Sequence, residues 1–451
     1  MIVGTVGHSG HGKTALVKAL IGNNLPEDEG WKITSDGGLH RHEVLSGQDI
    51  TIVDLPGYKK VTIDVLRIIS GINVALLVVA ADQGITLETR EHLEILQTFK
   101  PEKRIIVITK MDLVNEDIQK MTAAEARELA AKTFLEKAPV VYCSATTGIG
   151  IEEVNRYLDD AARRIGKKGV SDLFRLPVER VFTIPGCGTM VSGTVVSGRI
   201  RAGENVEIYP AQIKGKIRSI QVNHQKADEV DAGQQVELNI PQNSVGEVER
   251  GMVMGLPDVL IPTHLLSGRF SYLTSGRNTL VDRENITLYV STAEGVGDMI
   301  FLDKERLLPG DTCLVQFRLK KNVVCAAGDR YFVESVRPIK TIGGGIFLEV
   351  DSPEYRTADS EAIALLKFLE QGAYTEALEM IVRRQQHHIL DLHTVEQKYG
   401  LKKEEIDRAV AKLVKQKRVV WVGEGVFIHR EWHDRLKRAT CDELQSSHKR
   451  N

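Results

Sequence analysis

Long hydrophobic runs are missing from the chain. In its 451 residues no stretch approaches the roughly 18 consecutive apolar residues that cross a bilayer, and Met1-Ile2-Val3-Gly4 lacks the basic-then-apolar layout of a secretory leader. No membrane span is expected, and a cytosolic location is. Cysteine is scarce too: Cys143, Cys187, Cys313, Cys325 and Cys441 are odd in number, far apart and never in a Cys-x-x-Cys pair. That spacing argues against a disulfide framework or a thiolate zinc site and for reduced, mostly buried thiols. An excess of one charge is also lacking, since 59 Lys and Arg stand against 61 Asp and Glu for a net −2. The molecule as a whole is therefore no electrostatic glove for nucleic acid. Its charge is uneven, however, because Leu401 to Asn451 holds 13 basic against 8 acidic residues, a net +5 that leaves −7 on the rest. Low-complexity segments and internal repeats are absent.

What remains is the composition of a folding chain, 42% hydrophobic and 27% charged, long enough for about three domains. Ile2–Val6, Ile50–Val53, Val74–Ala80, Ile105–Thr109 and Val140–Cys143 are β-rich runs without polar alternation, as in strands buried on both faces of a parallel sheet. Helical patterns such as Leu87–Thr98 and Ala123–Lys137 lie between them, which predicts a doubly wound α/β domain over 1–170. From Leu176 to about Val350 the runs become short and alternating, punctuated by glycine, and predict two β-barrels, over 174–257 and 258–352. Helical periodicity returns at Asp359. The order helix, turn at Tyr399-Gly400, helix Lys403–Lys415 and two strands around Gly423-Glu424-Gly425 predicts a winged-helix, α+β region within 353–451.

Chemistry is concentrated in the first domain. Gly7-His8-Ser9-Gly10-His11-Gly12-Lys13-Thr14 matches G-x-x-x-x-G-K-[ST] between a predicted strand and a predicted helix from Ala15 to Ile21. Glycines let backbone N–H groups close around a β-phosphate, Lys13 bridges β- and γ-phosphates as a point charge, and the Thr14 hydroxyl suits Mg²⁺. His8 and His11 invite a zinc reading, but strand, loop and helix with Lys13 fit phosphate far better. His387, His388 and His393 fall in a helical stretch and read as satisfied or solvated. Asp54-Leu55-Pro56-Gly57 ends the next strand, where Asp54 suits a Mg²⁺-bound water and the Gly57 N–H suits a γ-phosphate. In Thr109-Lys110-Met111-Asp112 the carboxylate can accept from the ring N–H and exocyclic amine of guanine, while the Lys110 stem lies over the base. Ser144-Ala145 can offer a backbone N–H to the guanine oxygen. Each segment alone is weak, but the four in order predict a GTP/GDP site with Mg²⁺ and disfavour a metabolic P-loop kinase.

These segments, with Arg180-Val181-Phe182-Thr183-Ile184-Pro185-Gly186-Cys187-Gly188-Thr189, resemble a translational GTPase. Thr109 at the head of its motif, Glu88-Thr89-Arg90-Glu91-His92-Leu93 and Thr341-Ile342-Gly343-Gly344-Gly345 narrow the resemblance to the selenocysteine-specific elongation factors, over about residues 1–430. It implies a GTPase domain, two β-barrels and winged helices, with the ribosome and aminoacyl-tRNA as partners of a monomer. It also implies that Thr34 is the first-switch ligand of Mg²⁺, joining Thr14 and Asp54. The chain departs from the family at Ser9 and Gly10, and at Tyr58, where the family has a histidine that positions the attacking water. A phenol carries no positive charge near the γ-phosphate, so hydrolysis is expected to be slow or specially triggered. In the pocket for the aminoacyl end Arg180 is retained, while Gln235 stands where the family has arginine. The C-terminal region has room for one complete winged helix and a partial one, so an mRNA hairpin is not an expected partner. Lys412, Lys415, Lys417 and Arg418 form a basic helix end suited to RNA phosphates or simply to solvent. Two functions follow from the resemblance: a factor that carries selenocysteinyl-tRNA to the ribosome, or a non-delivering regulatory or scaffold paralogue that binds GTP.

Overall fold

The computed structural model describes residues 1–22, 32–33, 37–47, 49–54, 72–86, 89–90, 93–94, 96–97, 101–131, 133–165, 173–184, 188–222, 225–240, 247–276, 278–337, 339–384, 389–423 and 426–450. Its first sheet is built in the order β1 (Ile2–Val6), α1 (Lys13–Ile21), β2 (Lys32–Ile33), β3 (Gly37–Glu43), β4 (Asp49–Asp54), β5 (Val74–Ala80), β6 (Lys103–Thr109), α2 (Glu116–Ala130), β7 (Val140–Tyr142) and α3 (Ile151–Ile165). The strand order is β2-β3-β4-β1-β5-β6-β7, parallel from β4 to β7 with an antiparallel edge. Every residue of β5 is buried, and alternation decides which face each one serves. Val74, Leu76 and Val78 meet Leu16, Leu20, Val154 and Leu158 of α1 and α3. Leu77 and Val79 meet Leu93, Ala126 and Ala130 on the other side. Two covered faces explain the run without polar alternation.

In the first domain, helix α2 and strand β3 differ from expectation. The helix predicted over Ala123–Lys137 begins at Glu116, because the Asn115 side chain accepts from Ile118 N at 3.0 Å and Glu116 and Asp117 supply an acidic first turn. It ends at Ala130, whose carbonyl accepts from both the amide and the hydroxyl of Thr133, at 3.0 and 2.6 Å, three residues on. Strand β3, Gly-Gly-Leu-His-Arg-His-Glu, has neither apolar alternation nor an apolar run. Its pairing with β4, Leu39 opposite Val53 and His42 opposite Ile50, comes from the neighbour and not from its own pattern.

Strands 180–184, 188–194, 219–222, 225–227 and 235–240 form one sheet, and 175–177, 205–209, 213–216 and 253–255 a second. Both close over a core that includes Leu176, Val191, Ile208, Ile220, Leu238 and Met254. Six further strands, from Thr263–Tyr272 to Ile339–Val350, make a closed barrel filled by Phe270, Phe317, Tyr331 and Phe347. The glycine run in its last strand follows from close approach: a Cβ at Gly343 would lie 2.2 Å from Ser271 O and one at Gly345 1.7 Å from Arg269 O. The barrel meets the first domain where Glu94 Oε1 accepts from Thr274 N and, at 3.2 Å, from Ser275 N.

Helices α4 (Ser360–Gln371) and α5 (Tyr374–Arg384) lead to strand 389–391, α6 (Leu392–Tyr399), α7 (Lys403–Lys415), strands 419–423 and 426–429, and α8 (Arg430–Arg450). Helix, turn, helix and hairpin give the expected winged helix, with Gly400 at φ 64° in the turn. Strand 389–391, which was not anticipated, adds a third strand beside 426–429. The helical region shares a core with the outside of the barrel, since Leu302, Leu314 and Leu348 pack with Leu365, Leu378 and Leu413. At that seam Glu349 is 1% exposed and accepts from the Tyr355 hydroxyl at 2.6 Å and the Tyr399 hydroxyl at 3.1 Å. Burial pushes its carboxyl above the usual range. No helix among the described residues is long and apolar enough to cross a membrane.

Candidate nucleotide site

The loops that follow β1, β6 and β7, with Asp54 at the end of β4, lie at the C-terminal ends of the parallel strands, the usual place for a ligand in an open α/β sheet. The first is the loop 7–12. Gly7 has φ 143°, and a Cβ there would lie 2.2 Å from Val78 O, so the loop passes too close to β5 for any side chain. Gly12, left-handed at φ 82°, stands before α1, whose start carries no side-chain cap. The first amides of this nine-residue helix are therefore open to an anion. Lys13 is 6% exposed and donates from Nζ to Gly7 O and His8 O, both at 2.9 Å. Burial lowers its pKa while the charge of Asp54 raises it. A buried ammonium held on carbonyls inside a ring of amides favours phosphate.

Asp54 closes the adjacent corner. It is 4% exposed; Oδ2 accepts from the Thr14 hydroxyl at 2.5 Å and Oδ1 from the Thr5 hydroxyl at 3.0 Å. Thr14 and Asp54 thus present a hydroxyl and a carboxylate oxygen side by side, the hard donors that suit Mg²⁺ alongside a nucleotide's own phosphates. Among the described residues no group of three His, Cys, Asp or Glu forms a metal cage, so the set fits an ion shared with phosphate better than a protein-only site. Thr34, Gly57 and Tyr58 lie outside the described residues, as do Trp31, Glu88, Glu91, His92, Cys187, His387 and His388. His11 is buried, its Nδ1 lies 3.2 Å from Val78 O, and its ring meets His8 edge-on at 5.1 Å between centroids. Burial first, then the neighbouring charges, holds its pKa down to about 4. Both histidines shape the loop. Ser9 and Gly10 are exposed at its tip.

The Thr109 hydroxyl donates to His11 O at 2.6 Å, tying the end of β6 to the phosphate loop. Lys110 follows in a left-handed conformation, φ 58°, and Asp112 is exposed one turn on. At the end of β7 the Ser144 N–H donates to Ile149 O at 2.9 Å, which leaves the Ala145 amide as the donor of that pair suited to a base oxygen. Thr5 was missed by sequence reasoning; its signal is a hydroxyl inside an otherwise apolar strand next to the loop. The second pair of expected residues sits elsewhere. Arg180, opposite Ser192, and Gln235, opposite Thr194, flank strand 188–194. Gln235 donates to Glu179 Oε2 at 3.3 Å, while Arg180 lines a cleft of about 660 Å³ with Phe182, Val248 and Arg250. At the basic helix end all four side chains are exposed, with Lys412 4.0 Å from Glu376 and Arg418 2.8 Å from Glu379.

Comparison with known proteins agrees with this geometry. Residues 1–164 match the elongation factor Tu GTP binding domain and residues 188–255 elongation factor Tu domain 2. The selenocysteine-specific elongation factor of Desulfomicrobium baculatum is 37% identical over 348 residues, covering 76% of this chain and 55% of that protein. That of Haemophilus influenzae is 30% identical over 417 residues, covering 91% and 65%. The chain thus spans less than two thirds of the length of either relative. The crystal structure of bacterial selenocysteine-specific elongation factor EF-Sec superposes with a TM-score of 0.75 at 23% identity, over 99% of this chain and 73% of that one, which supports the fold. The chain is a member of the translational GTPase superfamily and, within it, a relative of the selenocysteine-specific elongation factors.

Proposed function

We propose that the protein binds GTP and GDP with Mg²⁺ and works as a translation elongation factor of the selenocysteine-specific kind, with aminoacyl-tRNA and the ribosome as partners. The observation that carries the reading is the convergence of Lys13, the Thr14–Asp54 pair, Asp112 and the Ala145 amide on one end of the sheet. Lys13 and the loop amides bind the β- and γ-phosphates, Thr14 and Asp54 hold the ion, and Thr34 joins them by family resemblance. The bound Mg²⁺ supplies charge neutralisation for the phosphates. Asp112 selects guanine by accepting from two base donors that adenine does not offer in that arrangement. Tyr58 lacks the charge of an imidazolium, so turnover is slow or needs a special trigger.

A second reading, the non-delivering paralogue, is favoured by one contact. Gln235 is turned onto Glu179, so the pocket for the aminoacyl end lacks a cation at that position. An ionised selenol needs fixed positive charge to be told from a serine hydroxyl. One measurement tests the guanine reading that both share, and a second separates them. Asp112→Asn costs about 2–4 kcal/mol of GTP affinity and favours xanthine nucleotides; equal wild-type affinity for ATP and GTP ends the guanine reading. A carrier protects the selenocysteinyl ester from hydrolysis only with GTP bound, and a scaffold gives no protection.

A further inference from the structure

The turn after β5 has no role in the reading so far, yet it stands between two loops of the nucleotide site. Ala81 N donates to Thr109 O at 2.9 Å, and the Thr122 hydroxyl donates to Ala81 O at 3.3 Å. Residues 81–84 are thus fixed to the end of β6 and to α2, and Gly84 N closes the turn on Ala80 O at 2.9 Å. From this platform Asp82 Oδ2 accepts from Lys110 Nζ at 3.0 Å. The side-chain Nε2 of Gln83 lies 3.9 Å from the point where a Cβ on Gly10 would sit, and among the described residues no other neighbour comes within 4 Å of that point. The turn therefore touches the guanine loop through Asp82 and approaches the phosphate loop through Gln83.

Lys110 is unusual in its backbone. Its φ of 58° and ψ of 36° are left-handed, a region that side-chain-bearing residues visit rarely and keep only when their surroundings hold them there. Long side chains of this type have many rotamers, and freezing one at binding costs affinity. The ion pair with Asp82 freezes it beforehand. It also neutralises the ammonium, leaving the methylene stem as an apolar surface beside Asp112.

We propose that Asp82 is a positioning residue of the guanine site, acting through Lys110: its carboxylate holds the lysine in one arrangement before the base arrives. The inference rests on the guanine-nucleotide reading above. The pair is 25% and 31% exposed, and ion pairs so placed add little to folding. Its contribution should accordingly appear in ligand binding and not in stability.

The test is a double-mutant cycle on the full chain, read by release of N-methylanthraniloyl-GDP in a stopped-flow instrument. Asp82→Asn speeds release about 3- to 10-fold with the association rate nearly unchanged. The nucleotide-free thermal midpoint stays within about 1 °C. In a Lys110→Met background, which keeps the stem and removes the ammonium, Asp82→Asn adds nothing further. Asp82→Ala repeats the measurement with a different replacement. Release unchanged by both Asp82 variants overturns the inference, and so does an acceleration of equal size in both backgrounds. An unsubstituted protein that binds no guanine nucleotide overturns the underlying reading and this inference together; normal binding with unaltered variants overturns this inference alone.

Discussion

Thr109→Val removes a hydroxyl that ties the end of β6 to the phosphate loop, 98 residues away in sequence, and that also lies 3.4 Å from Val79 O. Thr109 is 2% exposed, and valine reproduces its shape with a methyl in place of the hydroxyl, so no cavity opens. What remains is the loss of the 2.6 Å bond and a buried His11 carbonyl without its donor. Leaving such an acceptor unsatisfied costs about 1–3 kcal/mol. For a folding unit of the first domain's size each kcal/mol moves the thermal midpoint by about 2–4 °C. The first unfolding transition should therefore fall by roughly 2–12 °C. The same brace sets the carbonyl at the crest of the phosphate loop, so nucleotide release should quicken about 10-fold, the equivalent of about 1.4 kcal/mol. Thr109→Ser keeps the donor and should recover most of both effects. If Thr109→Val leaves the midpoint within 1 °C and the release rate unchanged, the loop holds its shape without this bond and the argument fails.

Acid should weaken the same domain through His11. Its pKa is lowered from 6.5 to about 4 in the fold, so the unfolded chain takes up the proton first. Stability is full above pH 6.5 and falls as pH drops toward 4, by at most about 1.4 kcal/mol per unit; His11→Gln should flatten that slope in urea titrations. On α7 and the residue turn beyond it, neutralising Lys415 and Lys417 should flatten the salt dependence of RNA binding by about 0.7–0.9 in log–log slope per phosphate contact, and an unchanged slope assigns them to solvent. Tyr58→His should raise single-turnover GTP hydrolysis with ribosomes, since one preorganised electrostatic contact is typically worth about 10²–10³ in rate; no increase removes Tyr58 as the limiting group.

The parts of the molecule that could be read from sequence are those whose cause is local. The phosphate loop is a contiguous motif whose glycines and lysine each answer a demand of that loop. β5 betrays its double burial in seven unbroken apolar letters. The glycines of 343–345 were visible as a family mark, but their reason, contact with the backbone of the strand opposite, is a matter of register. Long-range choices were not legible. Nothing near Lys110 names Asp82, nothing near Thr109 names His11, and only the turn at Ile149 shows that Ser144 has already spent its amide. Strand β3 escaped notice because its partner, and not its own pattern, makes it a strand.

Glu349 has a mechanical meaning. An acid buried between two tyrosines at the seam of barrel and helices cannot follow one partner away from the other without leaving a buried carboxyl short of a donor. The apolar seam of Leu302, Leu314 and Leu348 adds the same resistance over a larger area. The barrel and the winged helix are therefore joined through a buried seam, whereas the barrel touches the first domain through polar contacts, Glu94 at the main chain of Thr274 and Ser275 and Arg330 at Ile72 O, 3.5 Å away. Any rotation of the barrel against the first domain would have to break those polar contacts and would carry the winged helix along with the barrel.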